Sequence, residues 1–181
     1  KDLGSLDLSS LRIAGCGAEP IRARTLIEFG EKFSRCGFDP KALLPSYGMA
    51  EVCLAITFCP HGTGVRTDVV DRATLAADQR AQPAADPTDE RRARRFVLCG
   101  KVLPGHRLEV RGIDGTVLAD REVGRIFVAG PSIMPGYFDE PEATREVLSD
   151  DGWLDTGDLG YTLAGEVVVT GRAKDLIIVN G

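Results

Sequence analysis

Four short runs combine glycine with acidic or basic side chains, and each has a chemistry within reach. In "SYGMAE", Ser46 to Glu51, a tyrosine, a glycine and a carboxylate fall within six residues. A tyrosine ring can stack on a base. A carboxylate at the edge of an apolar run can hold Mg²⁺ against phosphates, because Mg²⁺ takes one or two carboxylates plus substrate oxygens. The same residues also fit a core tyrosine and a surface glutamate. "GWLDTGDLGY", Gly152 to Tyr161, holds two aspartates and three glycines in ten residues. Asp158 there suits a carboxylate offered from a turn to sugar hydroxyls, a task acids perform in nucleotide sites. An ordinary Asp-Gly turn fits as well, and Trp153 reads as core. In "GRAKDLIIVNG", Arg172 offers a planar fork for the paired oxygens of a ribose or phosphate, or simply a solvated strand end. In "AGCGAEP", Gly15 and Gly17 let a flat or anionic ligand approach bare backbone, or merely turn a strand into a helix.

These runs need elements to hold them. Leu11 to Ala14 reads as a short strand, and Pro20 as a residue in the first turn of a helix. Leu26, Phe29, Phe33 and Cys36, at spacings of three, four and three, predict one face of that helix, with Gly37 as its stop. A strand at Ala42 to Leu44 follows, then a loop at Pro45 to Gly48 and a second apolar segment. Strand, helix, strand with tight glycine turns predicts an α/β layer.

Beyond Phe58 the composition shifts. The charged stretch within residues 61–97 has too few large apolar residues to build its own core. It is expected to lie as a mobile segment or to carry a short helix near Ala73 to Arg80. From Phe96 alternation takes over, with Asp114-Gly115 marking a hairpin. Asp139 and Glu142 stand at capping-box spacing ahead of a short helix. "GEVVVTGRAKDLIIVNG" predicts two strands split by Gly171. The expected fold class is α/β plus β: the end of an α/β layer, then a small antiparallel, barrel-like subdomain. The expected divisions are 1–60, 61–97, 98–171 and a hinge region at 172–181.

The bulk numbers narrow the classes. The chain has 181 residues, 43% hydrophobic and 27% charged, as in an ordinary globular protein. A net charge of -5 argues against a nucleic-acid surface. No apolar run approaches the ~20 residues of a membrane helix, and the first residues match neither a signal nor a transit peptide. A cytoplasmic location is expected. Five cysteines, an odd number with no CxxC pair, argue against a zinc site or disulfide framework. His61 and His106 have no partner motif. Both ends read as cuts within something longer.

Taken in order, "GCGAEP", "YGMAE", "GRIFVAGPSIMPGYFDEPEAT", "GWLDTGDLGY" and "GRAKDLIIVNG" resemble the adenylate-forming superfamily of acyl- and aryl-CoA synthetases, peptide-synthetase adenylation domains and luciferases. Within it the chain is most similar to the fatty acyl-AMP ligases. Ala50 stands where CoA synthetases usually have threonine, "GKVLPGH" looks like that branch, and the stretch from Thr67 to Arg95 sits where those ligases carry an insertion. The resemblance implies ATP and Mg²⁺ as cofactors, a fatty acid as substrate and an acyl carrier protein as the acceptor in the intact enzyme.

It also implies roles. Gly15, Gly17, Ala18, Glu19 and Pro20 would line the adenine and the carboxylate end of the acyl pocket through backbone. Tyr47 would stack on adenine, with Ser46, Gly48, Met49 and Ala50 beside the nucleotide. Glu51 would hold Mg²⁺, Asp158 the ribose hydroxyls, and Arg172 would assist. Lys174 would be the hinge about which a C-terminal domain turns. Arg125 stands where an acid is common and receives no role. The superfamily's phosphate loop and C-terminal catalytic lysine are not in this sequence, so the chain alone is expected to be inactive. A conventional acyl-CoA synthetase and a non-catalytic nucleotide-binding relative are the competing readings. A peptide-synthetase domain for amino acids finds no support.

Overall fold

The apolar spacing does produce an amphipathic helix, but its buried face is rotated slightly from the expected one. In the computed structural model, which describes residues 3–175, β1 (Ala14–Cys16) leads through a loop into α1 (Ala23–Ser34). Ala23, Leu26 and Gly30 are the buried positions of α1, and Phe33 packs partly against the same cluster. Phe29 lies at the edge, its ring against Phe33 and Phe38 at 4.6 and 5.3 Å. Pro20 lies ahead of the helix rather than in its first turn, because the chain stays extended until Arg22 and Ile21 packs sideways against two core clusters. Leu11 and Ile13, expected in the strand, precede it and are exposed.

β2 (Leu43–Tyr47) runs straight through Pro45, where a loop was expected. Pro45 is fully buried, and its carbonyl accepts from the Cys59 amide at 3.1 Å. A turn of 3₁₀ helix at Ala50–Val52 then leads to β3 (Thr57–Phe58). The charged stretch supplies β4 (Thr67–Asp71), α2 (Arg72–Asp78) and β5 (Ala93–Val97); β6 (Lys101–Val102), β7 (Arg107–Arg111), β8 (Gly124–Ala129), α3 (Pro141–Val147), β9 (Leu154–Leu163) and β10 (Glu166–Arg172) follow.

These strands form a first sheet ordered β1-β2-β3-β6, a second ordered β10-β9-β8-β7, and the pair β4-β5. Only β1 and β2 run parallel in the first sheet. The second is antiparallel throughout and open rather than closed into a barrel. β6 lies past the charged stretch yet returns to the first sheet, so the sheet boundary does not follow the expected division near residue 98. The Asp114-Gly115 turn connects β7 to a single bridge at Val117 before the chain reaches β8. Asp139 does not cap α3: the cap position is Glu140 and no side chain bonds the free amides.

The charged stretch is built rather than loose. It has no core of its own because it borrows one. Val70, Ala81 and Phe96 join Leu98, Tyr161 and Val168 in a common cluster. Two buried polar anchors add to this. Arg121 donates both Nη atoms to the Asp68 carboxylate at 3.0 and 3.2 Å, and the Tyr161 hydroxyl donates to the same carboxylate at 2.7 Å. Arg66, at the entrance to the stretch, makes a two-pronged pair with Glu166 on β10.

The main core joins the two larger sheets. Tyr47, Val52 and Ile56 from the first region pack with Val110, Ile126, Val128, Leu154 and Val167 from the second. This contact carries the end of β2 to β9. The five thiols are free, with Cys36, Cys59 and Cys99 buried, and burial pushes Cys99 up to about 12. Among the described residues, no helix is long and apolar enough to cross a membrane. The second strand expected after Gly171 lies outside the described residues; β10 itself runs through Gly171 as one strand with a bulge.

Candidate functional site

The parallel pair β1 and β2 ends at Cys16 and Tyr47, and the carboxyl edge of such strands is where α/β layers place ligands. Gly17 crosses Ser46 so closely that a Cβ would sit 2.9 Å from the serine Oγ. That hydroxyl is used within the scaffold: it donates to the Cys16 carbonyl at 3.2 Å. Ala18 then adopts φ +68°, a left-handed conformation that costs a non-glycine residue energy and tends to be kept where a local shape matters. Gly15, Glu19 and Pro20 are exposed along this edge.

Gly48 owes its identity to packing. A Cβ there would overlap the Leu54 carbonyl oxygen and the Ala55 Cα. The chain turns back on itself between Met49 and Ile56, whose amide donates to the Tyr47 carbonyl at 2.9 Å. The glycine is therefore the condition for folding the loop that displays Ala50, exposed, and Glu51, half-buried.

Tyr47, expected to stack on adenine, is only 8% exposed. Most of it belongs to the core. Its hydroxyl donates to Asp158 Oδ2 at 2.7 Å across 111 residues of sequence. Burial and the negative Asp158 beside it push the Tyr47 phenol far above its ordinary value, so it stays protonated and a donor.

Asp158 reaches this position through a bulge. Arg125 on β8 pairs with Leu159, and Phe127 with Asp155, so β9 carries extra residues between the two pairs. Bulges re-aim side chains in this way and cluster beside active sites. Gly157 supplies a φ of +72° inside the bulge, and the Thr156 hydroxyl accepts from the Asp158 amide while donating to the Ile126 carbonyl. Arg125, left without a role above, ion-pairs with Asp155 at 2.8 Å. Of the two aspartates in this run, Asp155 thus holds the bulge and Asp158 is presented by it. Arg172 stands opposite Asp158 in the β9–β10 register, with its Nε 3.4 Å from Oδ1. Trp153 is core: it is buried, with Arg107 and Arg111 over its ring at 4.7 and 4.6 Å.

Three expected site residues, Tyr47, Asp158 and Arg172, therefore meet. Glu51 lies four residues beyond Tyr47. Its carbonyl accepts from the Met134 amide at 2.8 Å, and its Oε1 accepts from the Tyr137 hydroxyl at 2.9 Å. Tyr137 and Thr156 were missed from the sequence. Tyr137 sits inside a quoted motif run, which was the available signal; Thr156 had none beyond its place in "LDTGD". No cluster of three or more His, Cys, Asp or Glu comes together among the described residues. Glu51 is a single carboxylate, which suits a hard cation that takes most of its oxygens from substrate. Lys174 is exposed at the edge of the described residues.

A mixed sheet with a helix beside it, joined to an open antiparallel sheet, is the architecture of part of the N-terminal domain of adenylate-forming enzymes. The AMP-binding enzyme family matches residues 2–138, and the chain belongs to that family. A Caulobacter vibrioides protein, named provisionally as an acyl-CoA synthetase, is 51% identical over all of this chain and 31% of its own length. The medium-chain-fatty-acid–[acyl-carrier-protein] ligase JamA of Moorena producens is 36% identical over 98% of this chain and 31% of its own. A solved structure from work on fatty acyl-adenylate ligases of E. coli and L. pneumophila is 47% identical, with a TM-score of 0.90 over 99% of this chain and 32% of that one. A fatty acyl-adenylate ligase from L. pneumophila in complex with acyl adenylate and pyrophosphate is 33% identical, with a TM-score of 0.87 over 97% and 31%. The chain thus spans about a third of the length of these relatives.

Proposed function

We propose that this chain is the adenosine-holding segment of a fatty acyl-AMP ligase, which joins a fatty acid to AMP and passes the acyl group to the phosphopantetheine arm of an acyl carrier protein. The observation that carries this reading is the Tyr47–Asp158–Arg172 constellation, in which a buried phenol fixes a carboxylate beside a guanidinium.

In this reading a fatty-acid carboxylate oxygen attacks the α-phosphorus of ATP. The bond from that phosphorus to the bridging oxygen of the β-phosphate breaks, and pyrophosphate leaves with the electron pair. No side chain acts as nucleophile, so the protein contributes position and charge. Asp158 accepts hydrogen bonds from the ribose hydroxyls, with Oδ2 kept in place by Tyr47 and Oδ1 beside Arg172. The exposed part of Tyr47 and the backbone from Gly15 to Pro20 and from Ser46 to Ala50 border the adenine. Glu51 would hold Mg²⁺, which when bound neutralises phosphate charge. Lys174 is the hinge.

Because the chain spans about a third of its relatives, we infer that it is not competent alone and that the intact protein supplies the phosphate loop and the C-terminal lysine. The free thiols suit a reducing, cytoplasmic setting. The name of the Caulobacter relative favours a second reading, an acyl-CoA synthetase; Ala50 favours the ligase. Offering the intact protein CoA and carrier protein in parallel separates them. The ligase reading expects acyl transfer to the carrier protein and little thioester on CoA. Efficient CoA thioester formation overturns it.

A further inference from the structure

We propose that Tyr137 is a positioning residue that orients the Glu51 carboxylate for its cation; the inference rests on the reading of Glu51 as the metal-holding acid. Two bonds tie the segment after β8 to Glu51: the Met134 amide to its carbonyl at 2.8 Å and the Tyr137 hydroxyl to Oε1 at 2.9 Å. The segment is itself anchored from behind. Thr144 in α3 accepts from the Tyr137 amide at 2.9 Å and donates to the Glu140 carbonyl at 2.9 Å. Its side chain also fills the space where a Cβ at Gly136 would go. The phenol is thus held from both ends of its residue.

The choice of group matters chemically. A lysine or arginine on Glu51 would cancel the charge a cation needs. A phenol is a neutral donor, so it fixes the carboxylate through Oε1 and leaves it anionic. A tyrosine hydroxyl ordinarily loses its proton only near pH ~10, so it remains a donor at neutral pH. This is how outer-layer partners of metal-binding carboxylates work: they hold the ligand's orientation, and removing them weakens metal binding.

The test is Mn²⁺ binding to the intact protein with a non-hydrolysable ATP analogue, read by electron paramagnetic resonance for Tyr137→Phe, Glu51→Gln and the double variant. Tyr137→Phe should weaken Mn²⁺ by about tenfold. The double variant should bind no more weakly than Glu51→Gln alone, since both act through one carboxylate. In turnover, Tyr137→Phe should raise the half-saturating Mg²⁺ concentration while kcat at saturating Mg²⁺ stays near the parent value. Weakened binding for Glu51→Gln but parent-like Mn²⁺ binding for Tyr137→Phe overturns this inference and spares the metal role of Glu51. Parent-like binding for Glu51→Gln overturns both. A loss of kcat with unchanged Mg²⁺ dependence also overturns the inference.

Discussion

The Tyr47 hydroxyl donates to Asp158 at 2.7 Å, joining the end of a parallel strand to a bulge in an antiparallel one. The two sheets are thereby locked together at the point where the nucleotide is proposed to sit. Orientation of the carboxylate and integrity of the junction are one interaction.

Tyr47→Phe keeps the ring and removes only that bond. One buried carboxylate oxygen then lacks its phenol, which costs roughly 1–3 kcal/mol for a hydrogen bond to a charged group. Thermal unfolding should report a lower Tm, and AMP binding should weaken because Asp158 is freer to move. An unchanged Tm with unchanged AMP affinity would show that the bond orients nothing.

High pH should strip out the same interaction. Burial and a partner carboxylate raise the phenols of both Tyr47 and Tyr161 above their ordinary value, which is about 10 in an unfolded chain. A group whose folded pKa is raised stabilises fully below its unfolded pKa and loses that contribution as pH rises through the folded one. Stability should therefore fall progressively above pH ~10. Phenolate absorbance from these two tyrosines should appear together with unfolding; free titration of all tyrosines in the folded state would contradict the account.

Asp68 anchors the charged stretch through Arg121 and Tyr161. Asp68→Ala leaves a part-buried guanidinium and a buried phenol without their acceptor, and should cost about 3 kcal/mol. The exposed i,i+4 pair of Arg24 with Glu28 is the control, and solvent screening should leave its loss almost without effect. Chemical denaturation of both variants gives the comparison. Equal effects would mean that the stretch is not anchored as described.

Gly48→Ala puts a methyl group where the backbone of Leu54 and Ala55 already runs. Overpacking against backbone should cost about 3 kcal/mol or more, seen as a large loss of Tm or of folded yield. A variant with normal stability and impaired nucleotide binding would mean that the glycine is needed for ligand approach rather than for packing.

The sequence and structure agree most where one residue's chemistry was self-sufficient. Asp158 was visible as an acid offered from a turn and Arg172 as a base at a strand end; the structure puts Asp158 within β9 instead, and the register of β9 with β10 brings the two together. Tyr47 was visible too, but its hydroxyl bond was not, because its partner lies 111 residues away. The charged stretch misled for a related reason. Its own residues cannot form a core, and the residues that complete one, Tyr161 and Val168, come from later strands. Gly48 was placed beside the nucleotide by resemblance, and its packing role was not visible, since a single sequence does not show which backbone passes beside it. The bulge that aims Asp158 depends on two unequal spacings, and only paired strands reveal it.

Asp158 carries the central claim, and fatty-acid-dependent exchange of pyrophosphate into ATP by the intact protein tests it most directly. The parent should catalyse exchange only when a fatty acid is present. Asp158→Ala should lower kcat/KM for ATP by about a hundredfold, in line with roughly 3 kcal/mol for charge-assisted hydrogen bonds to substrate. Exchange by Asp158→Ala at the parent's rate and ATP dependence would contradict the account.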